Sequence, residues 1–471
     1  MCFMFPLREG LLSLVEINNS DVAAAPAALP ADELSRESRA FCMAPWVHLA
    51  VAIGGVVTPC AEAKGAFGHA GQESIEDIWR GSGFQDFRTK LMRDERDDRC
   101  RKCYEIEEAG GVSLRRHFNT NFTRHAGRVR MDADGSGVVA PPLPVSLDVR
   151  FSNLCNFSCR MCWYGSSSKW FSDARELGWN TGPSALIASF PTAAEGVRAL
   201  RPLLATVEEI YWAGGEPLLI EEHYAVLEEL MALGRDRVVL KYNSNLSKLN
   251  LGRFDVLALW GWFKNVTLEV SIDGAGRRGE LIRHGLSWAQ LLENIAAVKK
   301  RCPHVRIQFG ITVSVFNVFA LPELHRELLT LGCGGPRNIG MHVLQEMAYY
   351  NIQILPSRLK RKIARRLMVY ARMLPAGENG SAISNSGQHQ FHHVIDYMMA
   401  ADRQELIRQF RTVTLQLDRL RGQETGKICP ELAPLLRISV LARLRRQAGE
   451  LLRCITRLGR PRDGENPQKR R

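Results

Sequence analysis

The chain of 471 residues contains no long apolar run. A stretch of about 18 apolar residues is needed to span a bilayer, so no membrane span is expected. A secretory leader is not expected either. Met1–Glu9 starts apolar, but no basic segment precedes it and Arg8 and Glu9 interrupt it, so no cleaved signal peptide is expected. There is no internal repeat beyond an alternation of strand-like and helix-like segments. A basic body is lacking as well, although the net charge is +12. Residues 431–471 hold eleven Lys/Arg against four Asp/Glu, so more than half of the excess sits at one end. The remainder is only mildly basic, and a nucleic-acid partner is not expected.

Cysteine is not scarce. The twelve stand at 2, 42, 60, 100, 103, 155, 159, 162, 302, 333, 429 and 454. Length alone suggests roughly two to three domains, and an apolar fraction of 45% suits a soluble chain with a sizeable core. In such a chain, C-x2-C and C-x3-C-x2-C spacings point to metal binding rather than disulfides.

The pattern divides the chain into six parts. Residues 1–37 contain an Ala/Pro-rich stretch and read as a flexible lead-in, 38–122 form a cysteine-bearing unit, and 123–144 a linker. From 145 to 345, strand-like runs at 145–151, 207–213, 237–242, 265–272, 305–315 and 339–345 alternate with helical segments such as 222–233, 287–300 and 321–331. Alternation of this kind predicts parallel strands with right-handed crossovers. The expected architecture is therefore α/β, a partial (β/α)6 barrel with an N-terminal cysteine-rich domain. Residues 346–430 read as a C-terminal helical region. Residues 431–471 read as a basic amphipathic helix with a disordered end, in which Leu441, Leu444, Ala448, Leu451, Ile455 and Leu458 recur at spacings of three and four. That helix would dock on the body, meet a partner helix, or lie weakly on a membrane surface.

In barrels of this type, chemistry gathers at the C-terminal ends of the strands. Cys155, Cys159 and Cys162 follow the first strand directly. Three thiols can hold a metal centre and leave one coordination position open, which marks a reactive site. The second strand ends in Trp212-Ala213-Gly214-Gly215-Glu216-Pro217, where two glycines permit close approach to a ligand and Glu216 adds a polar group. Alone, this string is equally a turn. Asn243, Ser244 and Asn245 end the third strand, and Ser271 and Asp273 the fourth. Small polar side chains there could bind hydroxyls or a carboxylate, or simply build Asx and Ser turns. Arg283 reads as a carboxylate anchor or as a surface residue.

Taken together, C-x3-C-x2-C and the Gly-Gly-Glu-Pro string on the next strand resemble the radical S-adenosylmethionine (radical SAM) enzymes. The resemblance implies that Cys155, Cys159 and Cys162 hold a 4Fe–4S cluster whose open iron binds SAM. It also implies that Gly214–Pro217 contact the SAM amino group, and that Asn243–Asn245, Ser271, Asp273 and Arg283 approach its other polar groups. One electron from the cluster would cleave SAM, and the resulting 5′-deoxyadenosyl radical would take a hydrogen atom from a substrate. A reductant such as flavodoxin or ferredoxin is then an expected partner, and an oxygen-sensitive cluster implies the cytoplasm.

Upstream, Cys42, Cys60 and the C-x2-C of Cys100 and Cys103 could close around one metal. By spacing alone, zinc competes. However, a zinc ribbon normally uses two C-x2-C knuckles, whereas Cys42 and Cys60 lie seventeen residues apart. With Gly111-Val112-Ser113-Leu114-Arg115 behind them, these cysteines resemble the twitch domain, a shorter relative of the SPASM domain. That resemblance implies a second, auxiliary 4Fe–4S cluster and an oxidative reaction, although in relatives the domain often follows the barrel. The competing reading is a non-catalytic iron–sulfur or zinc scaffold. No residue identifies the substrate, and a peptide, a sugar and a small molecule all stay open. Trp163–Pro191 is expected to form a lid, and His342, Glu346, Tyr349 and Tyr350 to line the substrate side.

Overall fold

The structure is a computed structural model that describes residues 38–108, 111–130, 137–375 and 387–437. The lead-in, Cys2, Cys454 and the tail helix expected after Leu441 lie outside the described residues.

The cysteine-rich segment supplies three short strands, β1 (His48–Val51), β2 (Val56–Thr58) and β3 (Gly68–His69), and the helices α1 (Arg101–Glu108) and α2 (Leu114–Asn121). Ser113 starts α2 by accepting a hydrogen bond from the Arg116 amide, a side-chain cap for an otherwise orphaned N–H. Six longer strands follow: β4 (Ser146–Val149), β5 (Glu209–Trp212), β6 (Val239–Ser244), β7 (Asn265–Ser271), β8 (Arg306–Val313) and β9 (Ile339–Val343). Between them run α3 (Ala193–Leu204), α4 (Glu221–Ala232), α5 (Trp288–Arg301) and α6 (Leu321–Thr330). Ser287 caps α5, and Lys299, Lys300 and Arg301 fill its last turn, where cations oppose the helix dipole.

All neighbouring pairs from β4 to β9 are parallel. The expected six βα units are present, and the sheet is open rather than closed, because β9 and β3 are its edges. The cysteine-rich segment is not a separate layer. β1 pairs in parallel with β4, His48 opposite Ser146 and Val51 opposite Val149, so one sheet of nine strands runs through both parts. Residues 123–144 are also packed down where described: Val138 is buried, and the Trp79 indole N–H donates to Pro142 O at 3.1 Å.

The central strands β5, β6 and β7 alternate strictly, whereas β4 is buried throughout. Ile210, Trp212, Leu240, Tyr242, Leu268, Val270, Ile307 and Phe309 are buried in the main core, whereas Glu209, Tyr211, Lys241, Asn243, Glu269 and Ser271 are half-buried on the opposite face. A parallel sheet covered on both faces would be apolar on both. This one therefore packs helices on its convex face and keeps a polar concave face, a half-barrel with an accessible lumen.

Three long helices, α7 (Ser357–Ala371), α8 (Gly387–Ala400) and α9 (Ile407–Arg421), and two one-turn helices, Thr425–Ile428 and Ala433–Leu436, complete the described chain. From α8, Gln390 accepts from the Met341 amide and donates to Ile339 O, which occupies part of the free edge of β9. Among the described residues no helix is long and apolar enough to cross a membrane.

Candidate active site

The loop after β4 carries Cys155, Cys159 and Cys162, and its backbone is fastened on three sides. On the first side lies the glycine pair. The Gly215 amide donates to Ser152 O and the Glu216 amide to Leu154 O, at 3.1 and 2.7 Å, so the end of β5 runs beside the approach to Cys155. A Cβ on Gly215 would meet Leu154 O at 2.2 Å, and Gly214 has φ +120°, a region that favours glycine. Only glycine lets the two backbones come this close.

On the second side stands Glu216, which is buried and fully engaged. Its carboxylate accepts from the Leu218 amide, the Ser244 hydroxyl and the Asn245 amide at 3.1, 2.7 and 2.6 Å. Burial pushes its pKa up, against these hydrogen bonds. Rather than reaching into open space, Glu216 braces the end of β6. Asn245, so held, donates through Nδ2 to Asn156 Oδ1 at 3.1 Å and points at Cys155 Sγ at 3.9 Å. Pro217 is buried and opens the turn capped by Glu216.

On the third side, the Ser158 amide donates to His284 O and the Arg160 amide to Ile282 O. Arg283, expected to anchor a carboxylate or lie on the surface, is mostly covered, its side chain 13% exposed, and has a partner already. Its Nε lies 2.6 Å from Asp273 Oδ2, and its Nη1 lies 4.0 Å from Cys159 Sγ. Asp273 also accepts from the Thr312 amide at 2.6 Å. The segment 163–191, expected as a lid, is stitched to the same loop. The Trp170 indole donates to Cys159 O at 2.6 Å, Asn153 bonds both ends of the segment, and Ser189 Oγ donates to Arg150 O.

Asn243 and Ser271 face each other across β6 and β7, with the Ser271 hydroxyl donating to Asn243 Oδ1 at 2.6 Å. They belong to the concave face, at the last residue of β7 and the last but one of β6. Lower in the lumen, Arg150 grips Asp148 through two hydrogen bonds, and Lys241 pairs with Glu209 at 2.5 Å. His48 from β1 meets Ser146 Oγ at 2.7 Å, and burial pushes its pKa down to about 3, so the ring is neutral. His342 and Glu346 are exposed and Tyr349 half-buried, but Tyr350 is a core residue between Phe316 and Phe410 and lines nothing.

Burial, and then its neighbours Cys159 and Glu216, push Cys155 up to about 12, and Cys162 is raised by burial, Cys159 and Cys155. Cys159 is raised by burial but drawn back by Arg283. Three half-buried sulfurs, two of them raised by a neighbouring thiol, are held back from ionising together unless a cation sits among them. The donor set is all sulfur and therefore fits an iron–sulfur cluster.

A second thiol group lies in the cysteine-rich segment. Cys42 is raised by burial and then by Cys60, Cys100 and Cys103, and Cys100 is raised to about 12 by burial, Cys60 and Cys103. Asp97 caps the turn Asp98–Cys100 and binds Arg99, while Arg115 donates to Phe41 O beside Cys42. All four thiols thus converge, and they too form an all-sulfur set. Among the described residues no three His, Cys, Asp or Glu side chains are tight enough to hold a single metal ion. Of the remaining cysteines, Cys302 and Cys429 are buried, with their Sγ atoms against backbone carbonyls.

Residues that the motif reading passed over also surround the loop. Arg160 is fully buried and bonded to Asp418 and Gln423 of the C-terminal region. Arg421 stacks 4.6 Å over the Trp170 ring and pairs with Asp173. The one available signal was an arginine inside the cysteine run itself.

Residues 149–317 match the model of the radical SAM superfamily, and residues 42–104 match that of an iron–sulfur cluster-binding domain, SPASM. Among solved structures, native anSMEcpe with bound AdoMet is 15% identical, with 49% of this chain and 61% of that chain covered at a TM-score of 0.35. SuiB of Streptococcus suis bound to S-adenosylmethionine is 12% identical, with 58% and 57% covered, also at 0.35. This chain thus spans about three fifths of the length of these structures. Likeness at that level carries no argument about activity or substrate.

Proposed function

From its membership of the radical SAM superfamily, with an auxiliary iron–sulfur domain ahead of the half-barrel, we propose that this chain abstracts a hydrogen atom from a polar substrate held on the concave face. Cys155, Cys159 and Cys162 would hold the 4Fe–4S cluster, and Cys42, Cys60, Cys100 and Cys103 an auxiliary one. With both bound, the catalytic cluster supplies the electron that cleaves SAM reductively, and the auxiliary cluster can accept one from the substrate, giving a net oxidation.

The chain's own residues do the positioning. Gly214 and Gly215 bring backbone groups beside the cysteine loop, where the amino group of SAM would find acceptors. Glu216 keeps Ser244 and Asn245 in place, and Asn243 and Ser271 would offer amide and hydroxyl groups to the ribose. Arg283, balanced by Asp273, sets the charge beside Cys159. The substrate side is polar, because Asp148–Arg150, Glu209–Lys241, Tyr211 and Glu269 line it. A flavodoxin- or ferredoxin-type reductant and a reducing, cytoplasmic setting follow from the same chemistry.

The observation that carries this reading is the backbone pairing of Gly215 and Glu216 with Ser152 and Leu154, immediately before Cys155. The test is anaerobic reconstitution, iron counting and detection of 5′-deoxyadenosine with dithionite. About eight irons and SAM cleavage are expected. Four irons would remove the auxiliary cluster, and zinc with no cleavage would leave a scaffold protein.

A further inference from the structure

Helix α7 has six Lys/Arg in fifteen residues and no acid. Two of the six bond to other elements, and a third, Lys362, lies 5.2 Å over the Phe319 ring. Lys360 donates to Ala401 O, and Arg366 binds Phe319 O and Glu323. Lys362 and the others, Arg358, Arg361 and Arg365, are exposed, as is Arg372 just beyond the helix, and none of these five has an ion pair among the described residues. The same face exposes Met368, Val369 and Met373 by 38, 55 and 73%. The positions 358, 361, 362, 365, 368, 369, 372 and 373 recur every three to four residues, so they form one stripe of roughly 22 Å.

The opposite face already satisfies the fold, because Ile363, Leu367, Tyr370 and Ala371 are buried in the core. The outer stripe is therefore not needed for packing. A face that served only solubility would carry both signs at i,i+4 spacing, whereas here like charges stand together and aliphatic tips protrude among them.

We propose that the outer face of α7 docks the protein on an anionic lipid surface, with the cations on phosphate headgroups and Met368, Val369 and Met373 inserted shallowly. This is independent of the catalytic reading. Protein interfaces are built around aromatic anchors, pockets and paired charges of both signs. The stripe is a helix ridge without an aromatic tip or an acid, which suits a diffuse field of negative charge. The chain's own C-terminal residues do not fit as occupant, since residues 431–471 are themselves strongly basic.

The test is co-sedimentation of the full-length protein with vesicles of phosphatidylcholine alone and of phosphatidylcholine with phosphatidylglycerol. Binding is expected only to the anionic vesicles, and it should weaken about tenfold or more in high salt. The variant R361E/K362E/R365E should lose most of this binding while keeping the wild-type circular dichroism spectrum, and M368S/M373S should weaken it with less salt dependence. Both are then repeated in a chain lacking residues 438–471. No vesicle binding, or anionic binding that survives charge reversal in the shortened chain, overturns the proposal. A short RNA that binds the stripe as tightly as the vesicles do overturns the lipid assignment.

Discussion

Arg160, between two cysteines of the loop, is held by Asp418, which lies 258 residues further along the chain. The Nη2 to Oδ1 distance is 2.5 Å, with the Arg160 side chain fully buried and Asp418 11% exposed. Asp418 also accepts from the amide and hydroxyl of Thr425, and Gln423 joins Arg160 to His284. The C-terminal helices thus grip the outside of the cysteine loop through one buried guanidinium.

Removing one partner of a buried ion pair leaves the other charge uncompensated, at a cost of about 3–5 kcal/mol. Asp418→Ala is therefore expected to lower the thermal midpoint and to loosen the loop. Iron per chain should fall from about eight to about four, with the auxiliary centre retained. Full iron content together with unchanged stability would show that this grip is dispensable.

Gly215→Ala puts a Cβ 2.2 Å from Leu154 O, a backbone atom that cannot turn aside. Overpacking of this kind costs about 1–3 kcal/mol, and the two backbones must separate. Equilibrium binding of SAM to the reconstituted protein should be lost. Gly182→Ala, with nothing within 4 Å of the added Cβ, is the control and should bind as the parent does.

The auxiliary segment should carry an acid-sensitive component of stability. Asp97 has its pKa drawn down to about 2 from 3.8, chiefly by hydrogen bonds from Arg99. In the unfolded chain the group takes up its proton at higher pH, so the unfolded state binds more protons within that window. The stabilisation is complete above pH 3.8 and is lost as pH falls toward 2. Its size is on the order of 1–2 kcal/mol, reduced because Arg99 is partly exposed to solvent. Urea unfolding of the apo chain between pH 3 and 6 should show a steeper rise with pH than Asp97→Asn does. Parallel curves would count against the assignment.

Arg283 places a positive charge 4.0 Å from Cys159 Sγ. A cation near a cluster favours its reduced, more negative state. Arg283→Gln, which also leaves Asp273 unbalanced, is expected to lower the potential of the loop cluster by on the order of 100 mV. A redox titration followed by electron paramagnetic resonance reads this directly, with the auxiliary signal unmoved.

Much of the fold was legible because it is written in short-range periodicity. Alternation of apolar and polar residues at 209–212, 239–244 and 265–271 marks strands with one buried face, and the cysteine spacings mark the loops that gather sulfur. Motif reading went less far with individual side chains. Glu216 and Arg283 stand where the motifs place them, yet their polar atoms are taken up by Ser244, Asn245 and Asp273, and no local pattern specifies those partners.

What the sequence alone determined is the alternation of strands and helices and the cysteine spacings within it, since both are patterns of near neighbours along the chain. Tertiary structure decided the rest. β1 joins β4 and merges the auxiliary segment with the half-barrel sheet, α9 and the turn after it close on Arg160, and α7 turns its cations outward. Each of these rests on contacts between distant residues or on which face is left uncovered. Such contacts are settled only when the whole core packs, because that is when buried charges find their partners and surplus faces are left to solvent.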